Sequence, residues 1–96
     1  MAMNRQKVER RLQEVHAKLV TARAELAIAE EQYTTFADDA DDARIRSLVA
    51  ETPLADREWQ EASRHAAAME RGLQLARQRV VDLERLQDEL IDKLVV

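Results

Sequence analysis

Cysteine is absent from this chain, and glycine and proline occur once each. Without cysteine there are no disulfides, no thiolate nucleophile and no cysteine-based zinc site, and the redox compartment is left open. One glycine and one proline are too few to punctuate the turns of a β-sandwich or barrel. Aromatic residues make up only 3% of the sequence. No apolar run reaches the roughly 18 residues of a membrane-spanning helix. The start of the chain is polar, with both charge signs, and lacks the apolar stretch of a secretory signal. A cytoplasmic protein is therefore expected. The net charge of −4 argues against nucleic acid, which needs clustered Lys and Arg, and against an anionic membrane surface.

What is present is charge and aliphatic carbon. A chain of 96 residues that is 35% charged and 46% apolar has the composition of long helices. Val8, Leu12, Val15, Leu19, Ala22, Leu26, Ala29, Tyr33 and Phe36 recur at alternating spacings of four and three. Trp59, Ala62, Ala66, Met69, Leu73, Ala76, Val80, Leu83, Gln87, Leu90 and Leu94 do the same, and only Gln87 is polar. Both series are heptad seams. They fit each other in an antiparallel register that sets Phe36 against Trp59, Val15 against Val80 and Leu12 against Leu83. Most middle layers then oppose a large side chain to a small one. The expected fold is all-α, a long antiparallel coiled-coil helical hairpin forming a single domain over 1–96.

The segment between the seams reads as a third element. Thr34 and Thr35 are poor helix formers, and Asp38, Asp39, Asp41 and Asp42 suit a helix cap and first turn. Ile45, Leu48 and Val49 recur at helical spacing. Thr52-Pro53 is a helix start, with threonine as the cap and proline at the first helical position. The expected organisation is a first arm over about 3–37, an acidic tip with a short helix within about 38–52, and a second arm over about 53–95. The short helix would pack Ile45, Leu48 and Val49, together with Leu54, against the hairpin tip. Gly72, mid-arm, would permit a close approach or a bend.

Charge is distributed unevenly. Residues 1–36 sum to +1, residues 37–58 to −4 and residues 59–96 to −1. Two nearly neutral arms thus flank an acidic tip, where Tyr33, Phe36 and Trp59 also fall. Near the chain ends, Val81, Leu86, Ile91 and Val95 lie outside the main seam and widen the apolar face beyond what two helices need. They suggest the base of a homodimer, in an antiparallel four-helix arrangement.

No catalytic constellation is legible. His16 and His65 would lie about 20 Å apart along the hairpin, too far to share a metal or a proton. There is no glycine-rich phosphate loop. From Asp38, the third, sixth and twelfth positions of a calcium loop would be Ala40, Ala43 and Val49, which fails the pattern. No enzyme, cofactor or metal site is expected.

The tip contains the pattern D-x-x-D-x-A as Asp38, Asp41 and Ala43. It resembles the coiled-coil tip of the DksA/TraR family, bacterial RNA polymerase regulators that insert an acidic-tipped hairpin into the secondary channel. Gre transcript-cleavage factors share such a tip. The resemblance covers six residues, and this chain lacks the cysteines of the DksA/TraR zinc module. It implies RNA polymerase as partner, with Asp38 and Asp41 approaching the active centre and Ala43 part of the tip motif. The residues themselves suggest a non-enzymatic interaction module that offers an acidic, aromatic-backed tip (Asp38, Asp39, Asp41, Asp42 and Ala43) to a protein partner. A structural or assembly protein, using its arm flanks, is the remaining reading.

Overall fold

The computed structural model describes residues 4–95. Met3, the expected start of the first arm, lies outside the described residues. Two helices account for almost all of the chain: α1, Arg5–Ala50, and α2, Pro53–Val95. Glu51 and Thr52 join them, and no strand occurs among the described residues. The protein is an all-α helical hairpin.

Each helix end has a local cause. Asn4 caps α1: the Lys7 backbone N–H donates to Asn4 Oδ1 at 2.9 Å. Ala50 ends the helix because Glu51 adopts a left-handed conformation, with φ at 53°. The Glu51 N–H then closes the last turn on the Ser47 carbonyl at 3.1 Å. Thr52 and Pro53 act as the sequence suggests. The Ala55 N–H donates to Thr52 Oγ1 at 3.2 Å, and Pro53 is the first helical residue. Asp56 in the first turn of α2 and Lys93 in its last complement the helix dipole.

The short helix expected within about 38–52 is not a separate element. α1 continues through Thr34, Thr35 and the four aspartates without a break. Thr35 donates its hydroxyl back to the Glu31 carbonyl at 3.1 Å, so its polar atom is satisfied within the helix. Beyond Phe36 the seam also continues. Ala40 is half-buried, Ala43 and Ser47 are buried, and their spacings from Phe36 are again four, three and four. Helix propensity is a weak preference that such packing overrides.

The chain divides into two compact units, one formed by the stretch up to Leu26 with that from Ala76, the other by Ala27–Leu75. In the first, the terminal unit, Val8 and Val15 of α1 pack with Leu90 of α2, joined by the partly buried Leu12, Leu83, Leu86 and Leu94. A second cluster joins Leu19 and Ala22 to Val80. In the other, the turn unit, Ser47 hydrogen-bonds Asp56, and the Phe36 ring meets His65 edge to face at 6.0 Å.

These contacts revise the expected register in both units. Phe36 meets His65 rather than Trp59, and Val80 clusters with Leu19 and Ala22 rather than with Val15. The pairing is displaced by about one heptad, seven residues. The cause is the continuous α1: with only Glu51 and Thr52 in the connection, the helices pair from Ser47 and Asp56 outward. The seam itself is as expected. Every α1 position from Val8 to Phe36 in the series is buried or half-buried, and in α2 only Trp59, at 36%, stands partly outside it.

Candidate functional site

The turn unit buries mostly small side chains. Its buried positions hold Ala43, Ser47, Ala55 and Leu73. Near the turn α1 and α2 meet at Ser47 and Asp56, where the Ser47 hydroxyl donates to Asp56 Oδ1. That bond satisfies the one buried polar side chain of the seam and ties the last turns of α1 to the first turn of α2.

Large aliphatic side chains lie outside that seam. Ile45, Leu48, Val49 and Leu54, expected to pack against the tip, are 53%, 63%, 80% and 60% exposed. The seam stripe of α1 passes through Ala43 and Ser47, which turns Ile45, Leu48 and Val49 to the outer side. Ile45, Val49, Ala50, Leu54 and Ala55 line an open cleft of about 400 Å³ between the end of α1 and the start of α2, with Arg46 and Glu58 at its rim. No single residue type flags this surface in the sequence. The signal was the position of Ile45, Leu48 and Val49 relative to the continued seam.

The acidic residues sit behind this end. Asp38, Asp39, Asp41 and Asp42 are all exposed on α1. Asp42 precedes Glu51 by nine residues, about 13 Å of helix. They form a belt on the shaft, and the turn itself is Glu51-Thr52. Among the described residues the one ion pair is Arg5 with Glu9, so the belt takes no part in charge pairing within the fold. Its members stand three and four residues apart, where like charges destabilise a helix by about 0.2–0.5 kcal/mol per pair. Ala43 differs from its acidic neighbours: at 2% exposure it belongs to the helix pairing. Of the aromatics, Tyr33 and Phe36 are half-buried in the seam, and Trp59 lies one turn along α2 from Ala55.

In the terminal unit, the residues expected at a dimer base divide. Val81, Ile91 and Val95 are exposed, whereas Leu86 packs on the cluster of Val8, Val15 and Leu90. Gly72 has open space around it: a Cβ built there meets nothing within 4 Å, so the close approach expected from the sequence is not found. Among the described residues no group of His, Cys, Asp or Glu side chains could hold a metal ion. No described helix is long and apolar enough to cross a membrane.

Compared with protein families, with curated proteins and with solved structures, the chain matches none.

Proposed function

We propose that this chain is a non-enzymatic, cytoplasmic coiled-coil interaction module that engages a protein partner through the turn end of its hairpin. One observation carries the reading: Ile45, Leu48, Val49 and Leu54 are exposed together beside the turn, and Ile45, Val49 and Leu54 line one cleft there. Burying each would contribute on the order of 1–2 kcal/mol. A clustered apolar surface rimmed by charge is the usual signature of a protein contact. The aspartate belt flanks this surface and adds charge selectivity to it.

Pull-down from a cell extract with wild type and Val49→Ser/Leu54→Ser protein tests the proposal. The double variant is expected to lose the captured partner while keeping its helical circular dichroism. Retention of every partner would refute the turn end as the contact surface.

The transcription-regulator reading draws support from the pattern Asp38, Asp41 and Ala43. It is weakened by the placement of that pattern on the shaft of α1, with Ala43 buried. It predicts salt-sensitive co-purification with RNA polymerase. Assembly through the base draws on the exposed Val81, Ile91 and Val95. It predicts a homodimer by light scattering that Ile91→Ser breaks.

A further inference from the structure

Resting on the reading of the turn end as a contact surface, we propose that its occupant is a cationic amphipathic helix of a protein partner. Its aliphatic side chains would seat against Ile45, Val49 and Leu54, and its Lys or Arg side chains would reach Asp38, Asp41 and Asp42.

The argument starts from phase. Asp38, Asp41, Asp42, Ile45, Leu48 and Val49 follow one another at intervals of three, one, three, three and one. Side chains so spaced share one face of a helix. All six are exposed, and the face they form runs about 17 Å along α1, roughly three turns. It is acidic at one end and apolar at the other. At the apolar end the cleft between α1 and α2 gives an anchor somewhere to sit. A ligand covering this face needs the complementary order, aliphatic near the turn and cationic away from it.

Three features select a helix from another protein. A β-strand would need a sheet edge for its backbone groups, and the backbone of α1 is committed to the helix, so this face meets a partner through side chains, as a helix-in-groove contact does. A second copy would bring a segment of net charge −4 against itself, which like-charge repulsion disfavours. Lipid headgroups and nucleic acid of negative charge meet the same repulsion. None of these aspartates is held in an ion pair among the described residues; Arg44 and Arg46 follow on the same helix, and the segment keeps its net charge of −4.

Displayed random peptides of about 15 residues, roughly four helical turns, panned against the full-length protein test this. Enriched peptides are expected to carry net positive charge with aliphatic residues three and four apart. Their binding, followed by fluorescence anisotropy, should weaken about ten-fold in Asp38→Asn/Asp41→Asn/Asp42→Asn protein at low salt and much less at high salt. Val49→Ser should weaken it at either salt. All four residues are exposed, so circular dichroism should be unchanged. Neutral or acidic peptides that nevertheless lose binding to Val49→Ser would overturn the cationic partner and leave the contact surface standing. Peptides indifferent to both variants, or no enrichment at all, would overturn both. Self-association by light scattering that Val49→Ser abolishes would make the occupant a second copy and overturn the proposal.

Discussion

The terminal unit and the turn unit use the same heptad seam for different ends. In the terminal unit the seam holds Val8, Val15, Leu19, Val80 and Leu90, and these large side chains supply the hydrophobic clusters. In the turn unit the buried seam positions are Ala43, Ser47, Ala55 and Leu73, with Tyr33, Phe36 and Met69 half-buried, while Ile45, Leu48, Val49 and Leu54 stand outside it. The largest fully buried side chains, Leu19 and Val8, thus lie in the terminal unit, and the stretch next to the turn leaves aliphatic surface in water. A sequence optimised for stability alone would place its aliphatics in the seam throughout. The arrangement in the turn unit is the pattern expected where a surface is kept for binding.

Four substitutions probe that contrast. Leu19→Ala removes a side chain with 0% exposure and should cost about 2–4 kcal/mol, read from urea denaturation. A loss below about 1 kcal/mol would mean that the terminal unit is not where stability resides. In the turn unit the comparable effects come from local geometry. Thr52→Ala deletes the cap on α2 and should cost about 1 kcal/mol by the same measurement. Gly72→Ala should act in the opposite direction. Nothing blocks the added methyl group, and alanine is favoured over a mid-helix glycine by about 0.8–1 kcal/mol. The melting temperature should rise by about 4–8 °C per kcal/mol for a chain of this size. Smallest of all, Leu48→Ala should fall within about 0.5 kcal/mol of wild type, because its side chain is largely in water. A large loss there would show that the exposed aliphatics support the fold after all.

Much of this was legible in the sequence, and what was not has a specific cause. The seam positions followed from spacing alone, because leucine and valine every three or four residues leave little ambiguity. The start of α2 followed from Thr52-Pro53, where the cap and the fixed proline φ act within a few residues. The continuity of α1 was missed because Ala40, Ala43 and Ser47 continue the seam with side chains too small to stand out. The larger Ile45, Leu48 and Val49 drew attention to the opposite face. Once a break is assumed there, the turn becomes longer and the pairing slips by a heptad, since heptad seams match equally well at offsets of seven. The acidic cluster was legible as a cluster. Its distance from the turn was not, because that depended on where α1 ends.

The two-residue connection has a consequence for how such a chain can change length. Glu51 in its left-handed conformation and Thr52 with its cap together fix the phase from which Ser47 and Asp56 are paired. One residue inserted in α1 of the turn unit rotates everything on one side of it by about 100° and sends seam side chains into water. Seven residues, close to two turns, restore the phase, and the seams can then pair again because they match at offsets of seven. Length changes that keep the seam facing its partner therefore come in steps, the heptad first among them, and not residue by residue. The short turn works as the zero mark of a ruler graduated in heptads.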